Sequence, residues 1–304
     1  MVSAGSIPIA LLYSRTGDAV KIARINQDSM ETYAFVHNDT VVIKEELEKQ
    51  LKTNLPDSME EFLFGDHISA VKSAKLTAGK NKQYKLLPPI SKPSKIICLG
   101  YNYLDHAKEQ GLAPPEEPVI FMKPRTTLIG AHDSIVCPKF VKKLDYEGEL
   151  AFIISKKCKN VTQEDALNYV LGYMVFNDVS ARDIQFEDKQ WTRGKSFDTF
   201  APCGPWITTR DEIADPHNLR IVTKVNGEVR QNSSTRNMAL KIERIVASLS
   251  KVMTLEQGDI IATGTPSGVA VFMAEPKFLK HGDVVEIEIE GLGSIRNDIV
   301  FTDH

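Results

Sequence analysis

Leu144-Asp145-Tyr146-Glu147-Gly148-Glu149-Leu150-Ala151-Phe152-Ile153-Ile154 opens on alternating charged and bulky residues and closes as an unbroken apolar run. Consecutive apolar positions fit a strand covered on both faces, so the segment reads as a strand running into a core. Alternate side chains of a strand share a face, so Glu147 and Glu149 point the same way, and Gly148 removes bulk from the other face. Two carboxylates one strand-step apart repel, and each raises the other's pKa unless a cation sits between them. A solvated surface pair is the alternative reading. The apolar run that follows directly argues against it, because it carries the glutamates inward.

Working outward, residues 171–177 read as the next strand, and Asp178 falls at its end within Asn177-Asp178-Val179-Ser180-Ala181-Arg182-Asp183. Three carboxylates without a neighbouring His or Cys set suit a hard cation. Mg²⁺ and Mn²⁺ bind through such oxygens, and Ca²⁺ takes the same ligands. Arg182, four residues past Asp178, reads as holding a carboxylate of substrate or of the site; a structural ion pair is the alternative. Asp145 reads as support for the metal shell.

The rest of the chain sorts around this centre. Residues 1–85 read as a small β-rich unit with helices, including strands at 7–13 and 19–25 about a turn at 14–17, and helices at 44–51 and 58–64. Three prolines within 86–93 mark a linker at 86–94. From 95 to 304 strands dominate: 95–100, 119–123, 144–154, 171–177, 219–225, 228–232, 259–263, 284–289 and 295–301. Asn226-Gly227 supplies the strongest short hairpin signal. Helices are expected at 103–110 (capped by Asn102), at 162–169 (capped by Thr162) and along the apolar stripe from Met238 to Met253. Strand–helix alternation is irregular, so a mixed α/β, β-rich roll or sandwich is predicted rather than a doubly wound sheet.

Composition closes off other classes. A net charge of −3 with no basic stripe argues against a nucleic-acid partner. The apolar run near Met1 is too short for a signal peptide, and no stretch approaches a membrane span, so a cytoplasmic protein without a membrane partner is predicted. Cys98, Cys137, Cys158 and Cys203 match no zinc or disulfide spacing and fit a reducing compartment.

Five segments, taken together and in order, resemble the fumarylacetoacetate hydrolase superfamily from about residue 95 to about 300. They are Gly100-Tyr-Asn-Tyr-Leu-Asp-His-Ala-Lys-Glu109, Leu144–Leu150, Asn177–Asp183, Gln190-Trp-Thr-Arg-Gly-Lys-Ser-Phe-Asp-Thr-Phe200 and Gly258-Asp-Ile-Ile-Ala-Thr-Gly-Thr-Pro-Ser-Gly-Val269. The resemblance implies a β-roll catalytic domain, a homodimer, and a Mg²⁺ or Mn²⁺ ion on Glu147, Glu149 and Asp178. It also implies substrate contacts from Lys195 and Thr265, and a lid carrying His106 and Glu109. Tyr101 departs from the family, which usually has leucine or arginine before Asn102. Members with a small extra N-terminal domain exist, which fits residues 1–85.

On that basis the cation would take the carboxylate and keto oxygens of a 2-oxo acid and stabilise an enolate, with Lys195 adding positive charge. An exposed lysine on a glycine-rich turn is the alternative for Lys195. His106 and Glu109 lie three apart on a helix and share a face, so Glu109 can orient His106 as a base or a water activator; a surface helix pair is the alternative. Gln190 is read as a contact to a distal substrate group. The predicted enzyme acts on a small 2-oxo or 1,3-dicarbonyl acid, with the lid dyad favouring a carbon–carbon hydrolase or decarboxylase. Alternatives are a 2-hydroxyhepta-2,4-diene-1,7-dioate-type isomerase, a sugar-acid dehydratase and a non-catalytic metal-binding relative.

Overall fold

The central strands are apolar on both faces because they lie between two covering layers. A computed structural model describes residues 21–37, 40–65, 67–72 and 84–303; the strand expected at 7–13 and its turn at 14–17 lie outside them. The larger sheet has eleven strands. Its main path runs Thr40–Ile43, Met30–His37, Lys21–Gln27, Ala201–Thr209, Val170–Asn177, Gly148–Ile154, Ile260–Ala262, Ile96–Gly100 and Val119–Met122. Alternation along Gly148–Ile154 divides the core. Leu150, Phe152 and Ile154 join one apolar cluster with Ile221, Val285 and Ile287 of a second, five-stranded sheet. Ala151 and Ile153 join another with Phe35, Leu47, Phe62 and Leu63 of the N-terminal region. Burying each of the larger side chains among these contributes ~1.5–3 kcal/mol.

The N-terminal strands extend the same sheet, with Lys21 and Ile22 opposite Thr208 and Ile207. The helices Lys44–Leu51 and Met59–Phe64 form where periodicity placed them. Arg220–Val225 and Glu228–Ser234 pair across Asn226-Gly227, both residues having positive φ (51° and 81°), as the tight hairpin turn requires. The architecture is mixed α/β and sheet-rich, with few helices.

Four local expectations change. The strand expected at 144–154 is two pieces, Leu144–Asp145 and Gly148–Ile154. The break falls where side chains replace ladder partners: Glu147 N donates to Asn177 Oδ1 (3.0 Å) and Gly148 N to Gln231 Oε1 (3.0 Å). The helix expected at 162–169 is only a 3₁₀ turn, Ala166–Tyr169, because Val170 is already drawn into the central strand. The amphipathic helix spans Ile242–Val252, and Met238 instead bridges to Tyr103. Asn102 does not cap the helix Leu104–Glu109. Its amide donates to Leu240 O (3.2 Å) and Thr263 O (2.8 Å) and accepts from Leu240 N (2.8 Å), tying the helix start to the core.

Candidate metal and active site

Strand register assembles the acidic centre. Gly148 lies opposite Asn177 and Glu149 opposite Phe176, so Asp178 emerges beside Glu147, whose carbonyl accepts from Asp178 N at 2.9 Å. One carboxylate oxygen from each of Glu147, Glu149 and Asp178 lies within 4.8 Å of the others, and all three residues are buried. Gly148 is required between them. A Cβ there would meet Thr223 Oγ1 at 2.4 Å and Ile287 Cγ2 at 3.1 Å.

Three cations reach this cluster. Lys195 Nζ donates to Glu147 Oε2 (2.7 Å) and Asp178 Oδ2 (2.8 Å). Lys123 Nζ donates to the other Asp178 oxygen (2.6 Å) and to Val179 O (3.2 Å). Arg182 Nη2 lies 2.7 Å from Glu147 Oε1, while its Nε donates to Asp145 Oδ2 at 2.9 Å. Asp145 also accepts from the backbone of Ala270 and Val271, so it holds Arg182 and the loop rather than facing the cluster centre.

Glu149 is treated differently. Its Oε2 accepts from Gly264 N (2.9 Å), and its Oε1 is buried without a hydrogen-bond partner among the described residues. Burial first, then the charges of Asp178 and Glu147, push its carboxyl well above the usual range. Burial acts the same way on Glu147, but Lys195 and Arg182 outweigh it and hold that carboxyl at about 2. Burial opposes the Lys195 ammonium, and Asp178 and Glu147 overcome it, so its pKa rises. An orphaned carboxylate oxygen in an all-oxygen set fits a hard divalent cation. Among the described residues no His or Cys joins the group, which sets it apart from ordinary zinc sites.

The rest of the site closes over this centre. Thr265 Oγ1 donates to Gly148 O (3.0 Å) and accepts from Gln231 Nε2 (2.8 Å). Gln231 thereby ties the loop 263–268 to the glutamate strand. On the helix Leu104–Glu109, His106 Nδ1 lies 3.1 Å from Glu109 Oε2, and Glu109 Oε1 accepts from Gly268 N at 3.2 Å. A cavity of about 50 Å³ is lined by His106, Glu147, Arg182, Lys195 and Thr265. Tyr101, Phe121 and Trp191 supply its aromatic wall, with ring centroids 5.1 and 5.5 Å from Trp191. Gly100 lets the Trp191 ring close in, since a Cβ would sit 2.2 Å from it.

Of the residues singled out in the sequence, Gln190 stands apart. It is exposed, and its amide bonds only within its own turn, to Thr192. Gln185 lines the cavity instead, accepting from Arg182 Nη1 at 3.0 Å. It lies three residues past Arg182 on the helix Arg182–Asp188, so a shared helical face was the available signal. Lys123 carried less: a lysine after an exposed strand and before Pro124 reads as solvated. Gln231 and Gln110 had no distinguishing pattern.

Residues 95–300 match the family described as fumarylacetoacetate (FAA) hydrolase C-terminal. The mitochondrial oxaloacetate tautomerase fahd2 of Xenopus laevis is 48% identical over 256 residues, which is 81% of this chain and 80% of that one. A fumarylacetoacetate hydrolase structure from Exiguobacterium antarcticum superposes with a TM-score of 0.80 at 36% identity, covering 93% of this chain and 100% of that one. The structure of 2-hydroxyhepta-2,4-diene-1,7-dioate isomerase from Mycobacterium marinum gives a TM-score of 0.73 at 34% identity, covering 94% and 100%.

Proposed function

The chain belongs to the fumarylacetoacetate hydrolase family and is an enzyme, and from that premise we propose that it is a divalent-metal-dependent tautomerase of a small 2-oxo dicarboxylic acid of the oxaloacetate kind. One observation carries the reading: a buried carboxylate triad with an orphaned Glu149 oxygen reaches, through Glu147, a small cavity also lined by His106, whose ring Glu109 holds. Glu147, Glu149 and Asp178 would hold the cation, Mg²⁺ or Mn²⁺, with Ca²⁺ accepted by the same oxygens. When bound, the cation supplies Lewis-acid polarisation of the 2-oxo group.

The chain's own groups do the rest. His106 takes the proton from the carbon beside the ketone at Nε2 and returns it to the enolate oxygen, so keto and enol forms interconvert without gain or loss of atoms. Glu109 holds the ring through Nδ1. Lys195 faces the oxygen where charge develops, Arg182 and Thr265 line the carboxylate end, and the Trp191 wall flanks the planar enol. At ~10–15 Å³ per water, the cavity equals a few waters, which suits a short acid.

The test follows the ultraviolet absorbance of oxaloacetate enol with Mg²⁺ and with EDTA. Metal-dependent acceleration of keto–enol exchange supports the assignment. Pyruvate release would assign decarboxylation instead, and no metal-dependent change would reject both. The second reading, isomerisation of a 2-hydroxyhepta-2,4-diene-1,7-dioate, draws on the likeness to the Mycobacterium marinum structure. It uses the same proton transfer along a longer conjugated chain and is tested by loss of diene absorbance. A homodimer in a reducing, cytoplasmic compartment completes the proposal. It is supported by four buried free cysteines and by Phe140, 63% exposed on the surface, and is tested by light scattering and cell fractionation. Among the described residues no helix is long and apolar enough to cross a membrane.

A further inference from the structure

Both nitrogens of His106 are engaged in a way that fixes where its lone pair points. Nδ1 faces Glu109 Oε2 at 3.1 Å, and Nε2 faces the Gln110 side-chain Nε2 at 2.8 Å. An ionised carboxylate only accepts, so Nδ1 carries the hydrogen. In the neutral ring Nε2 is then an acceptor, and the Gln110 amide presents its NH₂ to it. His106 is 6% exposed, and its ring meets the edge of Phe272 at 5.6 Å, so water competes poorly for either nitrogen. Gln110 lines the cavity beside His106. It is anchored at the helix end, where its backbone N donates to His106 O and Ala107 O.

We propose that Gln110 is a positioning residue that holds His106 in the neutral Nδ1–H tautomer, with the Nε2 lone pair aimed into the cavity and masked by the Gln110 amide until substrate displaces it. The proposal rests on His106 acting as the base, and it deepens that reading by naming the group that keeps the base's Nε2 unprotonated. Glu109 alone orients the ring but accepts equally well from a doubly protonated imidazolium. The donor at Nε2 is what disfavours that form. The reverse amide orientation, with its oxygen on a protonated Nε2, would make the resting ring an imidazolium and useless as a base.

The experiment reads ring ¹⁵N shifts in full-length protein labelled at histidine nitrogens, with Mg²⁺ as the diamagnetic cation, His106 being assigned by loss of its signals in His106→Gln. Wild type is expected to show a protonated Nδ1 and a bare, hydrogen-bonded Nε2 at neutral pH. Gln110→Met keeps the bulk and removes the donor. With Glu109 still holding Nδ1–H, it should let Nε2 take up a proton, moving the ring shifts toward imidazolium, and lower kcat about tenfold, equal to ~1.4 kcal/mol, with KM within about twofold. Gln110→Glu places an acceptor on Nε2 and should give imidazolium shifts and a loss of at least about a hundredfold. An imidazolium or a protonated Nε2 in wild type would overturn the proposal, as would unchanged shifts in Gln110→Met. These shifts are measured without substrate, so they are separable from the turnover assay: a tautomer as expected in a protein that turns over no oxo-acid would reject the functional reading alone.

Discussion

Asp178→Asn and Glu149→Gln each replace one carboxyl of the same cluster by an amide without changing shape, and the geometry gives them opposite signs in metal-free protein. Asp178 is fully buried and accepts from two ammonium groups, Lys123 at 2.6 Å and Lys195 at 2.8 Å, whose side chains are 0% and 2% exposed. Removing that charge leaves both lysines buried and under-compensated, which costs ~3–5 kcal/mol. At ~2.1 cal/mol/K per residue, 304 residues unfold with an entropy of ~0.64 kcal/mol/K, so the loss lowers Tm by about 5–8 °C. Glu149 has one backbone donor, an orphaned oxygen and two like charges beside it. Its amide replacement keeps an acceptor for Gly264 N and gains donors toward the neighbouring carboxylates, so Tm in EDTA should hold or rise by about 1–2 °C, for a gain of ~1 kcal/mol. With Mg²⁺ or Mn²⁺ at about a hundred times Kd, wild type should gain ~2.7 kcal/mol, or ~4 °C, and both variants should lose that gain. Calorimetry with and without EDTA reads all of this. A Glu149→Gln protein as destabilised in EDTA as Asp178→Asn, or one that keeps the full metal-induced rise, would refute the reasoning.

The raised Glu149 carboxyl also sets a pH dependence for metal-free protein. A folded pKa above the unfolded value gives stability that is complete below the unfolded pKa and lost as pH rises through the folded one. Tm in EDTA should therefore fall with rising pH across that window in wild type but not in Glu149→Gln, as paired melts would show. Glu147 has the reverse sign: its folded pKa of about 2 lies below the ordinary 4.5, so its contribution is present above 4.5 and lost as pH falls toward 2, steepening acid unfolding in wild type relative to Glu147→Gln. His106→Ala should lower kcat by ~10²–10⁴-fold while leaving metal-induced stabilisation intact, and unchanged turnover would dismiss it as the base. Gly148→Ala must displace Thr223 or the glutamate strand, costing ~1–3 kcal/mol, and should weaken metal binding measured by calorimetric titration, whereas an unperturbed affinity would show that the strand absorbs the methyl group.

What the sequence disclosed follows physical range. Patterns written within one element were legible: the apolar run after Glu149, the Asn226-Gly227 turn, the stripe of Ile242–Val252, and the spacing of His106 and Glu109. The meeting of Glu147, Glu149 and Asp178 was legible because it needs only two strands that are neighbours in sequence. Contacts set by distant segments were not. Asn102 looked like a helix cap because capping is a local signal, yet its amide is spent on Leu240 and Thr263, 138 and 161 residues away. Gln190 looked like a substrate contact from its motif, but its amide closes a turn on Thr192, and Gln185 lines the cavity. Lys123 escaped notice because nothing near it in sequence shows that Asp178 will be 2.6 Å away.

Lys123 changes how the site is understood electrically. In and beside the cluster, four carboxyl groups (Asp145, Glu147, Glu149 and Asp178) are set against three cations (Lys123, Lys195 and Arg182), Asp145 pairing with Arg182 at the edge. A balanced cluster would have little electrostatic reason to admit a divalent ion, and one without lysines would be forced apart by repulsion among buried carboxylates. The surplus negative charge would fall on Glu149, the member without a cation of its own, and burial together with Asp178 and Glu147 favours its protonated form until a divalent ion takes the proton's place. Lys195 bridges the other two and keeps the metal-free centre together. A divalent ion would turn the surplus into one positive charge, and a dianionic oxo-acid would return it to one negative. In the proposed reaction the same lysine that holds the carboxylates before loading would face the substrate oxygen where charge develops, so stability and polarisation would draw on one buried ammonium. Replacing Lys195 with methionine should therefore harm the metal-free fold and turnover together, whereas losing His106 should harm turnover alone.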